Sequence, residues 1–132
     1  MTPLHYAANY DFKGIVKILL EGGAEVNKPN KNGLTPLHYA AIHGYKEMVQ
    51  ILLERGAEVN KPSNWGMTPL HDAARLGYKK IARILLKNGA VHNATDEDGH
   101  SPVSLAEEHG HTDIANIIMR YNTEPKIKVC KT

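Results

Sequence analysis

One feature constrains this chain more than any other: the tetrapeptide Thr2-Pro3-Leu4-His5 returns as Thr35-Pro36-Leu37-His38 and again as Thr68-Pro69-Leu70-His71. A weakened copy, Ser101-Pro102-Val103-Ser104, follows at the same interval of 33 residues. A second series keeps that step: Gly23-Ala24-Glu25-Val26-Asn27, Gly56-Ala57-Glu58-Val59-Asn60 and Gly89-Ala90-Val91-His92-Asn93. A unit this short cannot bury an apolar face alone, so such a chain must stack its copies, each covering the next.

Each unit reads as helix, turn, helix, long turn. The Thr or Ser is a good N-cap, its oxygen accepting from the N–H three residues on, and the Pro follows at the first helical position. The first helix ends at Gly44, Gly77 or Gly110, where glycine permits the left-handed reversal. The second helix carries a broad apolar stripe, for example Met48, Val49, Ile51, Leu52 and Leu53, which implies contact with more than one neighbour. It stops at Gly23, Gly56 or Gly89, and a polar turn with its own glycine (Gly33, Gly66, Gly99) leads into the next unit.

The period and the Thr-Pro-Leu-His signature resemble the ankyrin repeat family over residues 2 to about 122. The resemblance implies an all-α repeat solenoid, a stack of helix–turn–helix units with projecting β-turn or hairpin fingers. The repeats are expected at about 1–29, 30–62, 63–95 and 96–122, with a basic, mobile tail over 123–132, where Pro125 discourages further helix. It further implies that His5, His38 and His71 belong to the hydrogen-bond network of the turns.

Two repeats depart from the pattern. The first begins directly at Thr2 and keeps an apolar face (Ala7, Ala8, Ile15, Val16, Leu19, Leu20), whereas terminal repeats usually turn a polar face outward. A missing neighbour, or weak self-association of an otherwise monomeric chain through this repeat, is the expectation. Asp11 stands where the other copies have glycine, at a modest cost in the left-handed region. The last repeat reads as a cap, with Ser104 for histidine, Glu107 for alanine and Asn122 for glycine.

Little here points to chemistry. Eight histidines raise the question of a metal, but His109 and His111 flank the reversal at Gly110 and should not converge, and a zinc site wants about four ligands. The acidic run Asp96-Glu97-Asp98-Gly99 is too short for a calcium loop. There is no phosphate-binding glycine loop, and no serine or cysteine nucleophile with a base beside it. No enzyme activity, cofactor or metal is expected. With a formal net charge of +2, a solvated basic face (Lys46, Lys79, Lys80, Arg83, Lys87) and no aromatic residues interleaved with it, nucleic acid is not expected either. The single cysteine, Cys130, rules out an internal disulfide and fits a reducing, cytoplasmic setting. No apolar stretch reaches the length of a membrane span, and the N-terminus lacks a secretory signal.

What remains is binding. The resemblance places a protein or peptide partner on the turn tips and the exposed side of the first helices. In register these are Lys31, Asn32 and Leu34; Asn64, Trp65 and Met67; Glu97, Asp98 and His100 on the turns. Near the helix ends they are Asn9 and Tyr10; Ile42 and His43; Arg75 and Leu76; Glu108 and His109. Tyr10, Leu34, Ile42, Trp65, Met67 and Leu76 are apolar where the fold does not demand it, and Trp65 is the only tryptophan. Exposed apolar patches often mark interaction sites, and Trp, Tyr and Arg dominate hot spots. Trp65, with Ile42, Met67, Arg75 and Leu76, is the expected anchor, and the acidic end at Glu97, Asp98 and Glu108 should favour a basic partner segment. The competing reading folds Trp65 onto its own turn. Two alternatives stay open: an ankyrin-type effector of an intracellular microbe or virus, and a substrate of asparagine hydroxylation. Asn27, Asn60 and Asn93, each eight residues after a leucine, resemble asparagines modified in some ankyrin domains.

Overall fold

The computed structural model describes the backbone of residues 1–131 and the side chains of residues 1–121. Eight helices and no strands are present among the described residues. They are α1 (Pro3–Asn9), α2 (Lys13–Glu21), α3 (Pro36–His43), α4 (Lys46–Glu54), α5 (Pro69–Leu76), α6 (Lys79–Lys87), α7 (Pro102–Glu108) and α8 (Thr112–Lys131). The first helices α1, α3, α5 and α7 pack in one row and the second helices α2, α4, α6 and α8 in another. The molecule is thus an all-α repeat solenoid.

Local chemistry explains the starts of the first row. In each capping residue the hydroxyl accepts from the backbone N–H three residues on, at 3.3 Å for Thr2, 3.4 Å for Thr35 and Thr68, and 3.1 Å for Ser101. Proline occupies the first turn of all four. The histidine three residues after each threonine answers the cap. Thr2, Thr35 and Thr68 donate their backbone N–H to its Nδ1 at 3.0–3.1 Å. This fixes the proton on Nε2, which donates to Leu34 O at 2.9 Å, Met67 O at 3.0 Å and His100 O at 2.9 Å. One imidazole therefore closes a helix start and ties its repeat to the next turn, as the family resemblance implied. Burial lowers the pKa of all three, to about 4 for His38, because it strips the hydration that a charged imidazolium would need. In the last repeat Ser104 reproduces the cap locally, its Oγ accepting from Ser101 N at 2.9 Å.

The core runs through the stack between the two rows. Leu4, Leu37 and Leu70 of the first helices meet Met48, Leu52, Ile81 and Leu85 of the second, all at most 2% exposed. Paired alanines (Ala7 and Ala8, Ala40 and Ala41, Ala73 and Ala74) let the rows approach. Gly77 shows why the joints need glycine: its φ is +85°, and a Cβ there would lie 2.7 Å from the His111 ring. Asp11, at the matching place in the first repeat, takes the same left-handed conformation, with φ of 62°.

The expected fingers are present as turns. Each is closed by a pair of backbone bonds, such as Gly66 N to Ser63 O and Ser63 N to Met67 O, both 2.9 Å. A side-chain oxygen fills each turn: Asn30 Oδ1, Ser63 Oγ and Asp96 Oδ1 each accept two backbone N–H groups. Neighbouring fingers are linked by Asn64 N to Asn32 O and Glu97 N to Trp65 O, both 3.0 Å.

One expectation is corrected. The last helix was expected to end near Asn122, yet α8 runs through Pro125 to Lys131. Proline removes a single N–H from the ladder while its φ remains helical, so it penalises a helix without forbidding it. The side chains of the basic tail 123–132, and its expected mobility, lie outside the described residues.

Candidate functional site

The turn tips and the ends of the first helices form a scaffold whose backbone is fixed by the bonds just described. The most prominent side chain on it is Trp65. It sits at the tip of the second described finger, 46% exposed. Its N–H donates to Ser63 Oγ at 3.2 Å and its carbonyl accepts from Glu97 N, so the backbone is held on both sides. Its indole N–H has no partner among the described residues. Met67, two residues on, is half-buried, and its carbonyl accepts from His38. Leu34 is its counterpart one repeat earlier, half-buried, with its carbonyl accepting from His5.

Arg75 and Leu76, half-buried at the end of α5, lie in the same repeat as Met67. Arg75 Nη2 is 3.5 Å from Asp72 Oδ1. Ile42 is half-buried and His43 exposed at the end of α3. His43 is oriented by Asn9 Oδ1 at 2.6 Å and stacks on Tyr45 with ring centroids 5.4 Å apart. At the other end His100 Nδ1 is 3.6 Å from Glu108 Oε2, beside the exposed acids Glu97 and Asp98. His109 is exposed, and its Nδ1 bonds back to Leu105 O at 3.0 Å within its own helix, while the His111 ring lies against Gly77. These two histidines therefore diverge, and no group of three or more His, Cys, Asp or Glu among the described residues is placed to hold a metal. Tyr10 is set apart from the others. It is 59% exposed at the first end of the stack, with its ring 6.0 Å from Phe12.

Sequence reasoning missed Asp72. It is only 3% exposed, one carboxylate oxygen has no hydrogen-bond partner, and burial pushes its pKa up to about 7 against the opposing pull of Arg75. The signal was available in register: Tyr6, Tyr39 and Leu105 occupy the corresponding places, so an acid there is the exception. Two asparagines of the long turns tie neighbouring repeats together. Asn27 donates to Gly56 O at 3.1 Å and accepts from Glu58 N at 2.7 Å; Asn60 does the same with Gly89 O at 3.0 Å and Val91 N at 2.8 Å.

Two rows of stacked helices with fingers along one edge define a helical repeat solenoid, a class built to present extended surfaces rather than enclosed reaction chambers. The family model for ankyrin repeats in three copies matches residues 1–63 and again residues 60–129, so the chain belongs to the ankyrin repeat family. Among curated proteins none matches this chain. Ankyrin repeats are generally protein–protein interaction modules and typically non-catalytic. No helix among the described residues is long and apolar enough to cross a membrane.

Proposed function

We propose that this chain is a non-catalytic scaffold that binds a partner protein or peptide across its turn tips and first helices, with Trp65 as the anchor. The observation that carries the reading is the half-exposed Trp65 ring, with its indole N–H unpartnered, on a backbone held from both sides. A rigidly mounted aromatic loses little conformational entropy on binding and offers one directional donor to a partner carbonyl. Met67, Arg75 and Leu76 supply apolar and cationic surroundings in the same repeat, with Ile42 and His43 on one side. The acids Glu97, Asp98 and Glu108 give the far end a preference for a basic segment.

The test selects peptides from a displayed random library against the full chain and measures their affinity by Trp65 fluorescence and calorimetry. Peptides should be enriched in basic residues on one side of an apolar contact. Trp65→Ala/Met67→Ala should lose about 2 kcal/mol or more of binding while keeping its helical spectrum. Equal affinity for the well-folded double variant would remove the site from this face.

In the modification reading Asn27, Asn60 and Asn93 are all candidates, and at Asn27 and Asn60 a modifying enzyme must first break the bonds across the joint. Intact-mass analysis and peptide mapping of protein from its native host should place any added oxygen on one of these three, and its absence from all of them would contradict this alternative.

A further inference from the structure

The described residues include nine exposed large apolar side chains, and the first repeat holds most of them. Tyr6, Tyr10, Phe12, Ile15 and Ile18 are 52%, 59%, 52%, 49% and 67% exposed. The period supplies an internal control. The residues in register with Ile15 are Met48, Ile81 and Ile114, which are 0%, 2% and 1% exposed because a preceding repeat covers them. Ile15 and Ile18 share one face of α2, and Tyr6 and Tyr10 share one face of the α1 region. The Tyr10 ring meets Phe12 between them. These residues make one apolar end face.

This face differs from the joints inside the stack in a telling way. Inside, the matching positions carry polar groups, and at two of the three joints some reach back to the preceding repeat: the Tyr45 hydroxyl donates to Asn9 O at 3.2 Å, Arg55 lies 3.8 Å from Glu21, and Asp113 lies 3.4 Å from Lys79. At the third joint Tyr78, Lys80 and Asn88 stand there without such a bond among the described residues. Their counterparts in the first repeat are Phe12, Gly22 and Gly14. Each has lost its polar group. Nothing in the fold asks for glycine at 14, which sits inside a helix with no atom within 4 Å of an added Cβ. Glycine weakens a helix relative to alanine, because it loses more backbone freedom on folding. A face stripped of the charges that pair with another repeat, and thinned by glycine at two rim positions, suits close approach by an equally apolar surface.

Among the described residues the opposite end is a poorer match: it exposes Met119, but sets a carboxylate beside the path of an incoming repeat. Ala8, Ala41 and Ala74 are fully buried against the next repeat, while Glu107, in register with them, is exposed. Head-to-tail stacking would press the apolar face onto that carboxylate. A two-fold arrangement sets the face on itself, apolar against apolar, and closes after two copies.

We propose that the first-repeat face is a homodimer interface, formed by α2 and the α1 aromatics of one copy against the same elements of a second copy. The experiment is sedimentation of the full chain from micromolar to near-millimolar concentration, with melting curves and far-UV spectra alongside. The wild type should follow a monomer–dimer equilibrium with no larger species. Gly14→Glu/Gly22→Arg installs the residues that the second repeat carries at Glu47 and Arg55. Neither glycine needs a positive φ, and Cβ atoms at both have room. This variant should fold as stably as the wild type and weaken dimerisation about tenfold or more. Ile18→Glu is the second probe, since its site is exposed in the monomer; it should weaken the dimer about a hundredfold. A wild type that stays monomeric throughout the range would overturn the proposal. So would a dimer unaffected by either well-folded variant, or assemblies that keep growing with concentration as a head-to-tail contact requires.

Discussion

Asp72→Asn should make this protein more stable at pH 8 and change it little at pH 4. Asp72 is 3% exposed, its Oδ1 has only a 3.5 Å contact with Arg75, and its Oδ2 has no partner. Burial raises its pKa from 3.8 to about 7, with Arg75 pulling the other way. Between those two values the folded chain holds a proton that the unfolded chain has released. Stability from this group is therefore complete below pH 3.8, falls as pH rises, and is lost above about pH 7. About three pKa units correspond to about 4 kcal/mol between the two limits. His38 titrates with the opposite sign in part of this window, but it is common to both proteins and cancels in the difference. Urea unfolding followed by far-UV circular dichroism from pH 4 to 8.5 gives that difference directly. It should grow with pH in favour of the asparagine variant, by a few kcal/mol, and level off above pH 7. A difference independent of pH would show that the carboxyl keeps an ordinary pKa, and the reasoning from burial would fail.

The buried histidines supply a second pH dependence. His38 is lowered from 6.5 to about 4, so its contribution is present above pH 6.5 and disappears as pH falls through 4; its ring resonances in an NMR titration should stay those of the neutral form down to about pH 4. Asn60→Ala should cost about 0.5–1.5 kcal/mol by removing the bonds to Gly89 O and Val91 N; an unchanged midpoint in denaturant titrations would contradict the joint-tying role. Gly77→Ala should destabilise more than Gly56→Ala. Both have positive φ, but only the first drives a methyl into the His111 ring, so matched melting temperatures would argue against the packing account.

The fold was legible in the sequence because every contact that makes it is stated several times. The Thr-Pro-Leu-His cap works identically in three repeats and survives in a local form at Ser101 and Ser104, so one reading of one unit served the whole stack. Even the exception at Asp11 was predictable, since its backbone conformation follows from its place in the period. The end of α8 was not, because it depends on how one proline is tolerated in a single helix that has no second copy for comparison. Asp72 escaped for a different reason. Its consequence is set by burial among neighbours from adjacent repeats, which only coordinates supply, although its departure from the tyrosine register was visible.

This contrast says where function in such a chain must be sought. Positions that obey the period are held by the stack, and their chemistry is used up in holding it: the imidazoles of His5, His38 and His71 have both ring nitrogens engaged, and Asn27 and Asn60 have both ends of their amides engaged. Positions that break the period are released from that duty. Trp65 replaces the Asn32 of the preceding finger and leaves its ring half in solvent; Gly14 and Gly22 replace charged residues and leave α2 bare. The stack gains nothing from any of these substitutions, and two of them weaken the helix or its cross-joint pairing. The partner proposed for the tip face and the second copy proposed for the first-repeat face would recover those losses, and the two are separable because their key residues share no element of the fold.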